Sequence, residues 1–391
     1  MNLFRKLANR TTPIDETALH YIWLSLACGF ASAAARELIS AYHGAGAVYA
    51  EEDFSSRTDL SEPLRKRLSE KDLSDAQEIY KACREKGIGI LTYESDLYPS
   101  RLRTLTNPPA VLYYRGRITN LDCEPCVAVV GTRSVSRYGE EVTDWFGYEL
   151  AKSGAFVVSG LAKGADGIAH RAALRAGGNT VAVLGTAIDR VYPLQNEGLF
   201  SEIESKGLIL SEYYPGCITG GASFPERNRI ISGLSLASLV VEAPVRSGAL
   251  ITAHAALDQG RDVFAVPGPI DAAASVGCNR LIRDGAGLAA SGWDILSVYP
   301  SRFPHRLHPA QMTVPEPGET PRQEESPPPA QTPEPEAPAA PELPVLDLDR
   351  NREGLTDDQL ALIRVLDTET PLLTDEAAEQ TGLPVRRGLS A

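Results

Sequence analysis

The amino-acid sequence predicts an α/β fold with a doubly wound, mostly parallel β-sheet. Six apolar runs recur from Val127 onwards, namely VAVVG, FVVSG, TVAVLG, LILSE, SLVVEA and DVFAVPG. Segments long enough for helices separate most of them, such as YGEEVTDWFGYELAKSG and ALITAHAALDQG. Continuous apolar strands that alternate with helices are typical of a parallel sheet covered by helices on both faces.

The first 85 residues predict a small helical module. Between Tyr21 and Ala50 the apolar residues form short helical groups that are separated at Gly29. Short helices with glycine turns fit either a helical hairpin module or a plain helical cap on the next domain, and both interpretations stay open. Residues 86–125 predict a strand, a turn and a second strand, which lead into a main domain that extends to about residue 300.

A change in composition marks the end of the main domain. Between Pro315 and Pro344 there are eleven prolines, seven glutamates and one arginine, which carry about half of the net charge of −13. We expect residues 301–350 to form an extended, solvated linker. Residues 351–391 predict two helices and a turn at Gly382, which resemble the front half of a winged-helix module. A third helix and a β-wing do not follow before Ala391, so we assign no nucleic-acid contact to this partial module.

Several classes of protein are disfavoured by composition. No apolar run reaches the ~18 residues that a membrane span requires, and the N-terminus lacks the apolar segment of a secretory signal. We therefore expect a cytoplasmic protein without membrane contact. Cys123 and Cys126 have CxxC spacing, but no second pair or nearby histidine completes a zinc site. We expect no metal and no cofactor.

The segments that follow the predicted strands are rich in groups that bind phosphate. In a doubly wound sheet, ligands bind outside the carboxyl ends of the strands. Five of the six segments after these strands carry Arg or Lys among Gly, Ser and Thr, including residues 131–139 and 159–170. Cations, hydroxyl groups and glycine amides at one edge of a sheet favour an anionic phosphate ligand.

The stretch FPERNRIISGLS, from Phe224 to Ser235, predicts a helix that begins with Arg227, Asn228 and Arg229. Helix N-termini favour acidic or small capping residues, so two cations at the positive end of a helix need another explanation. We expect an external anion to bind there and to offset the two charges.

The missing motifs narrow the choice of anion. The GxGxxG fingerprint, the P-loop and the GxSxG elbow are all absent. Glu212 and Glu242 stand at strand ends, but no neighbouring His or Cys gives either carboxylate an acid–base partner. His170 is interpreted as a core residue, and Asp166 as the cap of the helix that carries it. Phosphate sites spread along a sheet edge suit a polyanion better than one small nucleotide. Single-stranded nucleic acid fits, because its bases can stack on Phe224 while its backbone follows the cations.

Together, these motifs resemble the bacterial DNA-processing protein A (Smf) family. The resemblance runs in order from about Gly87 to Trp293 and includes GTR, FPERNR and SGALIT. It implies an extended Rossmann-like domain that binds single-stranded DNA without sequence preference. It also implies a homodimer that protects incoming DNA during natural transformation and hands the strand to the RecA recombinase. The family is not known for catalysis, and its N-terminal extension is SAM-like or a helix-hairpin-helix.

By position, the resemblance implies a specific DNA pocket. Arginines would neutralise phosphates, hydroxyl groups and backbone amides would orient them, and the asparagine would hold a base edge or order the loop. The implied residues are Gly131, Thr132, Arg133, Lys163, Phe224, Arg227, Asn228, Arg229, Ser247 and Gly248.

Two other functions stay open at this point. Nucleotide phosphoribohydrolases use a related sheet with a catalytic glutamate, but their GGxGTxxE signature is replaced here by APVRSGALITAH. A small-molecule sensor would bind one mononucleotide, with little dependence on strand length.

Overall fold

The computed structural model describes residues 15–310, and a β-sheet of nine strands forms the centre of this part of the chain. The strands lie in the order β1-β2-β6-β5-β4-β3-β7-β8-β9. The seven strands β3 to β9 are parallel to one another, whereas β1 pairs antiparallel with β2 and β2 pairs antiparallel with β6. The predicted α/β fold with a mostly parallel sheet is therefore confirmed. The strands are β1 (Gly89–Thr92), β2 (Val111–Gly116), β3 (Cys126–Val130), β4 (Phe156–Ser159), β5 (Thr180–Leu184), β6 (Leu208–Ser211), β7 (Ala237–Val240), β8 (Asp262–Ala265) and β9 (Gly287–Leu288).

Helices precede the sheet and then alternate with its parallel strands. Five come before β1: α1 (Glu16–Cys28), α2 (Ala33–Tyr42), α3 (Ala45–Ala50), α4 (Glu62–Ser69) and α5 (Ser74–Glu85). The others are α6 (Ser100–Arg103), α7 (Arg137–Lys152), α8 (Ala165–Arg175), α9 (Glu197–Lys206), α10 (Ser223–Leu234), α11 (Gly248–Asp258), α12 (Val276–Arg283) and α13 (Gly292–Leu296). None of these described helices is long and apolar enough to cross a membrane.

The apolar runs of the sequence correspond to strands that are covered on both faces. All six predicted strands are present as β3 to β8, and every residue of β3 and β5 is buried. Val127 and Val129 of β3 pack in the hydrophobic cluster of α7 and α8, whereas Ala128 and Val130 pack in the cluster of α10 and α11. This alternation follows from the two-residue period of a strand, and it requires apolar residues at every position of a central strand.

The N-terminal helices pack against the antiparallel end of the sheet. Tyr21 and Leu24 of α1 belong to the same buried cluster as Val111 and Tyr113 of β2 and Ile209 of β6. The hydrophobic core is therefore continuous across residue 85, where the sequence suggested a change from one module to the next. The expected linker beyond residue 310 and the expected partial winged helix at 351–391 lie outside the described residues.

The strand order reverses between β3 and β7. From β3 the chain adds β4, β5 and β6 on one side, and it then returns to place β7 on the other side. The segments that follow β3 and β7 consequently diverge. In doubly wound sheets, a crevice outside the carboxyl ends of the strands forms at such a reversal and binds the ligand.

Helix α10 begins earlier than the sequence analysis predicted. Its first residue is Ser223, so Arg227 and Arg229 lie in its second turn and not at its positive end. Pro225 fits the first turn, because the backbone N–H that proline lacks would have no partner within the helix there. The prediction that the two arginines stand at a helix N-terminus is wrong, and their charges need a different explanation.

Candidate functional site

Glu242, which follows β7 and is buried, stabilises the crevice at the reversal of strand order. Its Oε2 accepts a hydrogen bond from the backbone N of Ser136 at 2.9 Å, and its Oε1 accepts one from the Ser136 hydroxyl at 2.5 Å. Its backbone carbonyl accepts a third from the N of Thr132 at 2.8 Å. Glu242 therefore fixes both ends of the loop formed by residues 131–136, and its carboxylate is occupied by this structural task.

The start of this loop is tightly packed. A Cβ on Gly131 would lie 2.7 Å from the Cβ of Ala165 and 2.8 Å from Cγ2 of Val241. Only glycine can therefore let β3, α8 and β7 approach so closely. Thr132 accepts a hydrogen bond through Oγ1 from the N of Ser134 at 3.2 Å, which stabilises the turn that follows.

Arg133 stacks on an aromatic pair at the mouth of the crevice. Its guanidinium carbon lies 5.5 Å from the ring centre of Phe224, which in turn lies 5.3 Å from that of Tyr192. Arg133 is exposed, it forms no ion pair with any carboxylate of residues 15–310, and Tyr192 is 46% exposed. A free cation beside open aromatic faces can contact phosphates and bases. Sequence analysis missed Tyr192, although it is an aromatic residue close after a cation in the segment that follows β5.

Arg227 is a buried cation that lies one turn after Phe224 on α10. Its Nη1 donates to the carbonyl of Gly160 at 2.7 Å and to the carbonyl of Val183. Gly160 leaves room for this contact, since a Cβ there would lie 2.2 Å from Nη1. Burial lowers the pKa of Arg227 to about 10 and the charge of Asp166 opposes this shift, so the guanidinium stays protonated at neutral pH. Arg227 joins the carboxyl ends of β4 and β5 and adds positive potential to the crevice.

Arg229 has a partner inside the protein. Its Nη2 donates to Oε1 and Oε2 of Glu212, both at 2.8 Å, and the two side chains are 9% and 5% exposed. Burial raises the pKa of Glu212, while the charge of Arg229 opposes this rise. The prediction that Arg229 neutralises a phosphate is therefore wrong, because the anion that offsets it is a carboxylate of the same chain.

A cavity of about 120 Å³ brings six of the ten predicted residues together. Ser247 caps α11 beside it, with Oγ accepting a hydrogen bond from the N of Ala249 at 3.3 Å. Lys163 is exposed and lines a neighbouring cavity of about 760 Å³. The six residues that line the smaller cavity are Gly131, Arg133, Phe224, Arg227, Asn228 and Gly248.

Two ionisable residues near the crevice are engaged within the fold. Asp166 accepts hydrogen bonds through Oδ2 from the N of Gly160 at 3.1 Å and of Ala162 at 3.4 Å, so it orders the loop before α8. His170 is fully buried, with Nδ1 2.6 Å from the hydroxyl of Thr180. Burial lowers the pKa of His170 to about 3, so its ring is neutral at physiological pH. Both residues therefore have structural roles, as the sequence analysis proposed for His170. The prediction that Asp166 caps α8 is wrong, because Gly164 is the N-cap and the Asp166 carboxylate accepts from amides that precede the helix.

Cys123 and Cys126 are free thiols, the first exposed and the second buried. Burial raises the pKa of Cys126 to about 11, which disfavours the thiolate that a zinc ligand requires. Among residues 15–310, no group of three or more His, Cys, Asp or Glu side chains is placed to hold a metal ion.

The fold and the crevice define a Rossmann-like α/β protein whose candidate ligand site lies at the reversal of strand order. Within this class, residues 89–300 match the model of the family described as DNA recombination-mediator protein A. The chain belongs to this family, and the resemblance found in the sequence motifs is confirmed.

Known relatives match between 54% and 60% of this chain. Protein Smf of Synechocystis sp. is 45% identical over 216 residues, which are 54% of this chain and 54% of that protein. This chain therefore spans about half the length of that curated relative. The structure of DNA processing protein A (DprA) from Streptococcus pneumoniae is 40% identical, with a TM-score of 0.53 over 60% of this chain and 84% of that one. That of DNA processing protein A from Helicobacter pylori, described with a unique single-stranded DNA binding mode, is 31% identical, with a TM-score of 0.50 over 56% and 97%.

Replacing Arg229 with methionine should destabilise the protein. The change leaves the carboxylate of Glu212 buried without its cation, which typically costs about 3–5 kcal/mol of unfolding free energy. Urea denaturation followed by circular dichroism measures the loss. The double variant Arg229→Met/Glu212→Gln, which removes both charges, should recover much of it. Wild-type stability in Arg229→Met would contradict the structural role assigned to this residue.

Replacing His170 with asparagine should reduce the loss of stability at acidic pH. The folded pKa of about 3 lies below the ordinary value of about 6.5, so the unfolded state binds an additional proton as the pH falls through that range. Acidification therefore favours unfolding of the wild type. Urea titrations at several values between about pH 7 and pH 5 should show a steeper decline for the wild type than for His170→Asn. Parallel curves would show that His170 is not held neutral in the fold.

Proposed function

We propose that this protein binds single-stranded DNA without sequence preference in the crevice between the segments that follow β3 and β7. The observation that carries the proposal is the exposed guanidinium of Arg133, which has no carboxylate partner in the described part of the chain and lies over Phe224 beside Tyr192. Phosphates bind cations and every base has a face that can stack, so this arrangement holds a strand without selecting its sequence. The single-stranded DNA binding described for the Helicobacter pylori relative supports the same conclusion.

The side chains around the crevice have distinct proposed roles. Arg133 neutralises a phosphate directly. Arg227 is buried and attracts the strand through its charge, which salt screens less than an exposed charge. Phe224 and Tyr192 stack on bases, and Asn228, which lines the cavity, contacts a base edge.

Backbone groups complete the proposed contact surface. Gly131 offers its amide and Thr132 its hydroxyl group at the end of β3, and Ser247 and Gly248 lie at the start of α11. Amide groups at the first turn of a helix favour anions. The phosphate backbone is thus expected to cross the crevice from the β3 loop towards α11.

The cellular role that we propose follows from the family. As the resemblance implies, the protein would act as a homodimer in the cytoplasm, protect incoming DNA during natural transformation, and hand the strand to the RecA recombinase. The description of the matching family as a recombination mediator supports this role. The proposed activity is binding and transfer of a strand, with no catalytic step.

Two alternatives have weaker support. A nucleotide phosphoribohydrolase needs a free carboxylate, but Glu212 is paired with Arg229 and Glu242 is bonded to Ser136. A sensor of a single nucleotide needs an enclosed pocket, and such sites usually measure about 300–1,000 Å³. The cavity at Arg133 and Phe224 measures about 120 Å³, so a mononucleotide would have to occupy the neighbouring cavity of about 760 Å³, and its affinity would then not rise with strand length.

Arg133→Ala should weaken binding of oligo(dT) by about tenfold or more, because one direct phosphate contact is lost. The slope of log K against log salt should become shallower by about 0.7. Fluorescence anisotropy at several salt concentrations measures both effects, and the melting temperature should stay close to that of the wild type. Arg283→Ala is the matched control, since it removes another exposed arginine, one that is paired with Asp284 and lines neither cavity. An equal loss in both variants would indicate a general charge effect and no specific contact at Arg133.

Tyr192→Leu should weaken binding of oligo(dT) and oligo(dC) to a similar extent, by about 5- to 150-fold, because stacking contributes about 1–3 kcal/mol per base. Anisotropy at one fixed salt concentration measures the loss. Tyr192→Phe keeps the ring and should bind nearly as well as the wild type. If Tyr192→Phe loses as much affinity as Tyr192→Leu, the hydroxyl group and not the ring makes the contact.

A further inference from the structure

The larger cavity, of about 760 Å³, lies between α7 and α8 and adjoins the crevice. Arg133 lines both cavities, so a ligand bound at this side chain can continue from one into the other. The volume falls within the range of about 300–1,000 Å³ in which proteins hold ligands the size of small molecules and cofactors. The space is therefore sufficient for part of a nucleic-acid strand that passes Arg133.

The α8 side of this cavity carries two cations with no evident structural task. Lys163 lies next to Gly164, the N-cap of α8, and Arg171 lies in the second turn of this helix. Both side chains are exposed, and neither forms an ion pair or a hydrogen bond within residues 15–310. The segment that carries Lys163 is held in place by Asn196, whose Nδ2 donates to the carbonyls of Leu161 at 3.0 Å and Ala162 at 3.2 Å. The position of Lys163 is thus fixed by the backbone while its charge remains available.

The α7 side of the cavity is acidic, and most of its charge is already neutralised. Glu141 pairs with Arg137 at 3.1 Å, and Asp144 forms a bidentate pair with Arg175 at 2.6 and 2.8 Å. Glu140 remains as a further carboxylate on this side. Carboxylates repel phosphates, so a strand in the cavity would turn its backbone towards α8 and its bases towards α7.

We propose that the cavity between α7 and α8 is a second segment of the single-stranded DNA path, in which Lys163 and Arg171 bind phosphates of nucleotides beyond those held at Arg133. This inference rests on the proposed function and extends it. It separates Lys163 from the first cavity, and it adds Arg171 to the residues that contact DNA. It also implies that affinity rises with strand length until the strand occupies both cavities.

The test compares full-length wild-type protein with the double variant Lys163→Ala/Arg171→Ala on fluorescently labelled oligo(dT) of about 4 and about 20 nucleotides. The double variant should bind the long oligonucleotide about tenfold or more weakly, and its salt slope should be shallower by about 1.4. Binding of the short oligonucleotide should not change. Arg133→Ala should weaken both. Lys206→Ala/Arg283→Ala is the matched control, since it removes two exposed cations that line neither cavity.

The possible results distinguish a failure of the second segment from a failure of the proposed DNA binding at Arg133. An unchanged affinity of the double variant for the long oligonucleotide would overturn the second segment and leave binding at Arg133 intact. An equal loss for both lengths would place Lys163 and Arg171 at the first cavity, which also overturns it. If the wild type binds the long oligonucleotide but not the short one, the first cavity does not hold a strand by itself, and the path in two segments would be wrong. Binding of neither length by the wild type would refute the proposed function and, with it, this inference.

Discussion

The carboxylate of Glu242 is the constraint on which the candidate site depends. At the reversal of strand order the segments after β3 and β7 diverge, and without a tie the crevice could open or collapse. Glu242 supplies that tie through two bonds from Ser136 and one from Thr132. The loop that carries Arg133 is therefore set before any ligand arrives, so little ordering entropy has to be lost on binding.

The second constraint is a positive charge kept inside the protein. A buried guanidinium is unfavourable unless its donors are satisfied and its charge is partly balanced. Two strand-end carbonyls accept from Arg227, and Asp166 lies near enough to affect its pKa. The close approach of this side chain to Gly160 shows how the sheet edge accommodates it. Arg229, two residues further along α10, is paired with the carboxylate of Glu212. Neighbouring arginines of one short motif thus differ in function because their partners differ.

Most of the fold could be predicted because its signals are local. Strands β3 to β8 are continuous apolar runs, and the segments that follow them contain the residues that converge on one cavity. The pairing of Arg229 with Glu212 could not be predicted, since it joins residues 17 positions apart and depends on the packing of α10 against the end of β6. Tyr192 was missed for a similar reason, because only the folded chain brings it to Phe224. The start of α10 was misplaced because the two cations were interpreted as its beginning, whereas Pro225, which fits a first turn, indicates an earlier start.

The corner between α1 and α2 reaches the helix that supports the crevice. The backbone N of Ala31 donates to Glu212 at 3.2 Å, and the ring of Phe30 meets that of Tyr213 at 4.7 Å, edge to face. The hydroxyl of Tyr213 in turn donates to Glu226 of α10 at 3.1 Å. Shortening the protein to its sheet would therefore remove contacts that support α10. The N-terminal helices are part of the mechanical support of the crevice, and a minimal fragment that keeps its geometry has to include them.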